Sequence, residues 1–239
     1  MDVAYPIANK SKAGDDFELR YSLRSLEQQS WVEKVYLVGH CPKWVQDVIH
    51  IPCADPYQNT KDANIINKIM LMASLPDITG NFVVNSDDQY FLKSIAEEDL
   101  YPMLENPCRL SELKRKCGHN TWFARVVNTA NWCKEHGYSD WVFQCHIPYV
   151  VNKHDYPKIM SQVAWGQGNG FTTHAYLNMS LKTEPAKEPA GRTIRVKGRI
   201  MDLSYCKNAT FLNHNDAGLT QQLITFLENR FPEKSRWEK

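Results

Sequence analysis

The sequence contains no apolar run long enough to cross a membrane. Its longest nearly continuous apolar stretch covers residues 69–75, whereas a membrane-spanning helix needs about 18 or more apolar residues. The first residues show no basic segment followed by an apolar one, so no signal peptide is predicted. We therefore expect a cytoplasmic protein without a membrane span.

The sequence also lacks a Cys-x-x-Cys pair and an excess of charge of either sign. Its seven cysteines are odd in number and irregularly spaced, which disfavours a disulfide framework and favours a reducing compartment. Lys plus Arg number 28 and Asp plus Glu number 27, so the formal charge is +1. This balance argues against binding nucleic acid or anionic membrane through overall charge, although a local basic groove stays open. Nothing in the sequence indicates the oligomeric state.

The first half of the sequence alternates short apolar runs with segments of helical periodicity. Strands are predicted at residues 2–8, 33–39, 48–52 and 82–84, with one helix starting at Asp15–Asp16 and another at residues 62–75. Short connections between such elements predict an α/β fold with a mainly parallel sheet flanked by helices. Sheets of this kind bind ligands at the carboxyl ends of their strands.

The second half is less regular. Helices are predicted at residues 120–136 and 219–231, a strand at 142–151, and a loop rich in Pro, Gly and charge at 183–199. No internal repeat or clear linker is present, so residues 1–239 are predicted to form one domain with an elaborated C-terminal half.

Two adjacent carboxylates follow the apolar strand at residues 82–84. Asp87 and Asp88 would repel each other in a crevice unless a cation or a group of donors lies between them. Mg²⁺ and Mn²⁺ take oxygen ligands and are commonly completed by substrate phosphates. The pair therefore predicts a metal and diphosphate site, and an ordinary turn is the alternative.

Two sets of polar residues on predicted helices are candidates for binding a nucleotide donor. Lys61, Asn64 and Lys68 are spaced to share one helix face, as they would also be on a solvated face. Arg20 and Arg24 lie one turn apart and could bind a phosphate in forked geometry, whereas arginines more often form ion pairs.

At residues 18–26, 31–38, 64–69 and 85–88, the sequence resembles the Stealth-type sugar-phosphate transferases and related bacterial and phage glycosyltransferase-like proteins. The similarity is good over residues 2–92. Residues 85–88 resemble the Asn-Asp-Asp element of that family, which corresponds to the Asp-x-Asp element of GT-A nucleotide-sugar transferases. The similarity is weaker at residues 146–149 and 211–216.

The resemblance implies a GT-A-like fold, a nucleotide-sugar donor and a divalent cation, Mn²⁺ or Mg²⁺. Residues 1–92 would form the nucleotide-sugar-binding half and residues 93–239 the acceptor-side half. Ser86 departs from the Stealth pattern, so glycosyl transfer is favoured over sugar-phosphate transfer, and a non-catalytic nucleotide- or carbohydrate-binding module is a further alternative. The resemblance is compatible with a glycan or a hydroxymethylated base of phage DNA as the acceptor.

The second half offers further candidates for the metal sphere and for catalysis, since GT-A enzymes usually take such groups from there. His214 is a candidate metal ligand and Asp216 a candidate catalytic residue, although Asp216 could instead cap the last helix. His146 could act as a base on the acceptor hydroxyl, because imidazole titrates near neutrality, or could be a core residue. Asp88 is the third candidate for catalysis.

Two loops have compositions that suit a ligand. Residues 165–170 place Trp165 beside a glycine-rich turn, which suits a sugar or a base but is also ordinary for a turn. The predicted loop at 183–199 carries basic side chains, including Arg195 and Lys197, that could contact the donor diphosphate or an anionic acceptor.

Overall fold

The structure is a computed structural model that describes residues 1–8, 14–58, 60–100, 108–112, 121–139, 141–142, 146–166, 171–180, 193–197 and 203–239. Its strands are β1 (Asp2–Ile7), β2 (Val35–Gly39), β3 (Ile49–Ile51), β4 (Asn81–Val84), β5 (Gln89–Phe91), β6 (Cys108–Arg109), β7 (Trp141–Val142), β8 (Tyr149–Asn152), β9 (Thr193–Val196) and β10 (Phe211–His214). Its helices are α1 (Phe17–Leu26), α2 (Lys61–Ser74), α3 (Thr121–Glu135), α4 (Asp155–Met160), α5 (His174–Ser180) and α6 (Gln221–Arg230).

The central sheet has five strands in the order β3-β2-β1-β4-β8. The first four are parallel, with Val3 opposite both Val35 and Val83, and β8 is antiparallel to β4. The chain leaves β1 toward β2 and β3 and then returns to the other side of β1 to form β4. The strand order thus reverses between β1 and β4, and a crevice for ligands forms outside the carboxyl ends of strands at such a point.

Side-chain alternation along β1 divides the core into two layers. Ala4 packs in the cluster that contains Ile66 and Met72 of α2. Its neighbours on the strand, including Tyr5, pack on the opposite face in the cluster that contains Leu23 of α1. A sheet buried on both faces by helices is the architecture that the sequence predicts, and the α/β fold class is confirmed.

A smaller sheet in the order β5-β10-β9 stands beside the central one. Leu212 in its middle strand pairs with Tyr90 of β5 in antiparallel register and with Ile194 of β9 in parallel register. The loop that the sequence predicts over residues 183–199 is wrong for residues 193–196, because Ile194 and Val196 are buried in one cluster with Leu223 of α6. The rest of the predicted loop lies outside the described residues, apart from Lys197.

Two local predictions also differ from the structure. The predicted strand at residues 142–151 is two strands, β7 and β8, which belong to different sheets. Asp15 and Asp16 precede α1 as predicted, but both have left-handed backbone angles and Asp16 makes no side-chain cap. Within the described ranges no helix is long and apolar enough to span a membrane, and the five described cysteines are all free thiols.

Candidate active site

The carboxylate pair lies directly beyond β4, at the point where the strand order reverses. Asn85 continues the ladder, since its amide N–H donates to Ala4 O at 2.9 Å. A turn closes with the Gln89 N–H donating to Ser86 O at 3.2 Å. Asp87 and Asp88 are the two central residues of this turn and are partly exposed. Asp87 and Asp88 therefore do form a turn, which the sequence offered as the alternative to a metal site. This turn places both carboxyl groups at the ligand-binding edge of the sheet.

A buried chain of hydroxyl groups holds this turn against α1. Asn85 Nδ2 donates to Tyr5 Oη at 2.9 Å, and that hydroxyl lies 3.1 Å from Ser22 Oγ. Ser22 Oγ in turn lies 2.7 Å from Gln89 O and 3.1 Å from Ser86 O. One ordering satisfies each hydroxyl once as donor and once as acceptor, running from Asn85 through Tyr5 and Ser22 to the Gln89 carbonyl. The backbone on both sides of the two carboxylates is thereby fixed.

We expect Ser22→Ala to loosen this turn. The hydroxyl is fully buried, so its removal takes away the acceptor of the buried Tyr5 hydroxyl and one donor to the Gln89 carbonyl, and it should lower the free energy of unfolding by about 1–3 kcal/mol. Urea denaturation measures the change. Ser74→Ala is the matched control, because Ser74 is exposed and its hydroxyl bonds only within α2. Equal changes for the two variants would contradict the role given to Ser22.

Burial and like charge raise the pKa values of both carboxyl groups. Burial raises the pKa of Asp87 to about 6, with Glu18 as the next contributor. Burial, then Asp87 and Glu18, raise the pKa of Asp88 to about 8, although Arg195 opposes the shift. Glu18 was missed in the sequence, where the available signal was its position one helical turn before Ser22. Glu18, Asp87 and Asp88 thus lie close enough together for their charges to interact.

The donor set fits a hard divalent cation that is completed by substrate. Among the described residues, no three His, Cys, Asp or Glu side chains are grouped closely enough to hold a metal ion by themselves. Mg²⁺ and similar ions, however, are often held by one or two carboxylates together with substrate phosphates. Two adjacent carboxyl groups whose pKa values are raised by burial and by neighbouring acidic side chains are a donor set that such a cation would stabilise.

His214 lies at the end of β10, in contact with the strand that follows the carboxylate turn. Its Nδ1 lies 3.0 Å from Asn215 O, which can only accept, so Nδ1 carries the proton. Its Nε2 lies 2.9 Å from the Tyr90 hydroxyl, and burial lowers the pKa of the imidazole. The predicted metal ligation by His214 would therefore require Nε2 to exchange the tyrosine hydroxyl for the cation.

His146 and Asp216 occupy different environments. Asn213 Nδ2 donates to His146 O at 2.7 Å, which fixes His146 beside β10. Burial, with Arg195 and Lys197 as further contributors, lowers the pKa of His146 to about 4, so the imidazole is neutral at physiological pH. Asp216 is exposed in a short 3₁₀ turn. It does not cap the last helix, because Thr220 does so through its hydroxyl.

Of the three candidate donor-binding residues on α2, one is exposed and two make hydrogen bonds within the protein. Lys61 is exposed at the start of the helix. Asn64 uses both ends of its amide on the backbone of Tyr57, at 3.0 Å each. Lys68 is buried and donates to Ile7 O at 2.7 Å and to Asp55. Only Lys68 reaches the carboxyl end of β1.

Arg20 and Arg24 show the forked geometry that the sequence predicts, with a protein carboxylate as the partner. Arg24 Nε and Nη2 lie 2.7 and 2.9 Å from the two oxygens of Glu238, and Arg20 Nη1 lies 2.8 Å from Glu238 Oε2. The Arg20 guanidinium also lies over the Trp44 ring at 4.1 Å. The structure thus shows the ion-pair alternative for these two arginines, which fasten residues 231–239 to α1.

The remaining basic candidates are described only in part. Arg195 lies on β9 opposite Asn213 of β10, and Lys197 directly follows β9. The rest of residues 165–170 beyond Gly166 lies outside the described residues.

The strand order, the helices on both faces and the carboxylate turn beyond β4 define a GT-A-like α/β fold. Solved structures with this fold include the galactosyltransferase LgtC in complex with donor and acceptor sugar analogs, at a TM-score of 0.53 and 9% identity over 99% of this chain and 98% of that one. An active-site mutant of LgtC gives a TM-score of 0.54 and 10% identity with the same coverage. No protein-family model and no curated protein sequence matches this chain. At such low identity the likeness establishes the fold.

Proposed function

We propose that this protein is a metal-dependent glycosyltransferase that moves a sugar from a nucleotide-sugar donor to a hydroxyl acceptor. The observation that carries the proposal is the pair of adjacent, partly exposed carboxyl groups in a hydrogen-bonded turn at the strand-order reversal of a GT-A-like sheet. Asp87 and Asp88 would hold Mn²⁺ or Mg²⁺ there. When bound, the cation would supply Lewis-acid stabilisation of the charge that grows on the leaving diphosphate.

The residues around the pair have roles that follow from their environments. The network through Tyr5 and Ser22 orients the carboxylates before the donor arrives, which removes that ordering cost from the reaction. Arg195 and Lys197 would attract the negatively charged donor. Lys68 would support the carboxyl end of β1, as its hydrogen bond to Ile7 indicates.

Two side chains are candidates to receive the acceptor proton. His146 is neutral at pH 7 because its pKa is lowered to about 4, so its ring can accept a proton without first losing one. A bound diphosphate would offset the positive charge of Arg195 and Lys197 and thereby raise that pKa, which would make the imidazole a better base. Asp216 is the exposed alternative. We propose a cytoplasmic location, because the odd number and irregular spacing of the cysteines favour a reducing compartment.

Thermal unfolding with a panel of nucleotide sugars tests the proposal. A ligand that binds only the folded protein must raise its stability, so we expect one nucleotide sugar to raise the melting temperature with Mn²⁺ and not with excess chelator. Incubation with an acceptor panel should then release nucleoside diphosphate. Release of nucleoside monophosphate would instead indicate sugar-phosphate transfer, binding without turnover would indicate a binding module, and full activity in chelator would exclude the metal mechanism.

A further inference from the structure

Two partly exposed aromatic side chains contact each other at the loop that precedes α2. Tyr57 lies in the loop between β3 and α2, and Trp165 follows α4. Their ring centroids are 5.3 Å apart with the planes at 69°, so the rings form a corner. A Cβ atom on Gly166 would lie 3.0 Å from the Tyr57 ring. The backbone at Gly166 is therefore packed closely against the Tyr57 ring, and a side chain at position 166 would displace that ring.

The loop that carries Tyr57 is fastened at two points by α2. Asn64 Oδ1 accepts the Tyr57 N–H and Asn64 Nδ2 donates to the Tyr57 carbonyl, both at 3.0 Å. One helical turn later, Lys68 joins Asp55 of the same loop to Ile7 O. These contacts hold the aromatic ring without using the ring itself. A loop fixed in this way loses little entropy when a ligand binds to it.

The aromatic corner lies on the ligand-binding edge of the sheet. Asp55 is two residues from Tyr57, and Lys68 ties it to Ile7, the last residue of β1. The Asp87–Asp88 turn follows β4, which is the direct neighbour of β1. Tyr57 comes from the half that carries the carboxylates and Trp165 from the other half, so the corner bridges the two.

We propose that Tyr57 and Trp165 bind the pyranose ring of the acceptor carbohydrate, and that Asn64 is a positioning residue for this surface. The inference rests on the proposed function. The C–H groups of a sugar carry partial positive charge and pack on the negative face of an aromatic ring, while the indole N–H and the phenol hydroxyl can bond its hydroxyl groups.

The shape and charge of the corner favour a sugar over a nucleobase. A flat base stacks best on one ring or between two parallel rings, whereas two rings at 69° suit a puckered ring with C–H groups on more than one side. Asp55 is the one charged residue in the loop between β3 and α2, and its charge is paired with Lys68. An uncharged glycan therefore fits the surface.

Calorimetric titration of methyl glycosides of glucose, galactose, mannose and N-acetylglucosamine tests the proposal. For the glycoside that binds, we expect Trp165→Ala to weaken binding about tenfold, Trp165→Phe to restore most of it, and Asn64→Leu to weaken it about threefold. In turnover assays the same variants should raise KM for the acceptor and leave kcat within about twofold. Trp132→Ala is the matched control, because Trp132 is also partly buried and its ring contacts His136, Tyr138 and Phe171 instead of Tyr57.

Nucleoside diphosphates with Mn²⁺, titrated in parallel, separate this inference from the proposed function. Their affinity should be the same in the wild type and in Trp165→Ala. If the wild type binds a nucleotide but no glycoside, or if Trp165→Ala binds glycosides normally, the acceptor surface is wrong and the function stands. If Trp165→Ala weakens nucleotide binding instead, the corner holds the base and the inference is overturned. If no nucleotide binds the wild type, the proposed function fails, and a loss of glycoside binding in Trp165→Ala would still support the carbohydrate surface.

Discussion

Replacing Asp88 by asparagine should abolish sugar transfer while making the metal-free protein more stable at alkaline pH. The substitution keeps the shape of the side chain and removes the charge that would hold the cation. Several kcal/mol of transition-state stabilisation would be lost with the charge, so the rate of transfer should fall by at least about 10³-fold. Initial rates with saturating donor and Mn²⁺ measure this effect.

The stability change follows from the sign of the pKa shift. Because the pKa of Asp88 in the folded protein is raised from 3.8 to about 8, the folded state binds more protons than the unfolded state between those values. The wild type should therefore lose stability as pH rises from about 4 to about 8 in the absence of metal. Asp88→Asn should flatten this dependence, so the two proteins should match near pH 4 and diverge toward pH 8.

Asp77→Asn is the control for both measurements, since Asp77 is exposed beyond the C-terminal end of α2. Thermal unfolding across pH in chelator records the stability of all three proteins. A variant at position 88 that keeps full transfer activity, or one whose stability follows the wild type at every pH, would contradict the assignment of Asp88 to the cation site.

Replacing Glu238 by glutamine should cost about 3 kcal/mol of folding free energy. The Glu238 carboxylate is fully buried at the side chain and bonds both Arg20 and Arg24, so its neutralisation leaves two guanidinium groups without their main partner. The hydrogen bonds from Arg24, Ser235 and Arg20 outweigh burial and lower the pKa of Glu238. This stabilisation should therefore be complete above about pH 4.5 and be lost as pH falls through the lowered value.

Urea denaturation at pH 7 measures the loss. Glu233→Gln is the matched control, because Glu233 belongs to the same terminal segment and is exposed, and surface substitutions of this kind usually change stability by less than about 0.5 kcal/mol. Equal losses for the two variants would mean that the buried ion pairs contribute nothing beyond surface charge.

The parts of the fold that the sequence predicted are those in which local pattern and burial agree. The apolar runs of β1, β2 and β4 were readable because most of their residues are buried, and the periodicity of α2 was readable because one face of the helix is buried. The strand β9 was not readable, since its residues Thr193 and Arg195 are polar and its neighbours are rich in charge. Its pairing with β10 comes from a distant part of the chain, so tertiary contacts override local composition there.

The candidate site was predictable in its centre and not at its periphery. Asp87 and Asp88 stand next to each other after a buried strand, so sequence order alone brings them together. Glu18 approaches them only because α1 packs against the turn through Ser22, a contact over 64 residues. Arg20 and Arg24 have the right spacing for a phosphate, but spacing does not reveal that Glu238 lies opposite. The identity of a partner across the fold is the information that local spacing lacks.

The pairing of β5 with β10 has a consequence for how the protein is made. Phe91 is opposite Phe211 and Gln89 is opposite Asn213, so the strand that leaves the carboxylate turn finds its ladder partner about 120 residues later. A ribosome must therefore release residues 211–214 before β5 gains its ladder partner. Closing contacts over such distances is entropically slow, so until then α1 alone, through Ser22 and Ser25, would hold the strand that leaves the acidic turn.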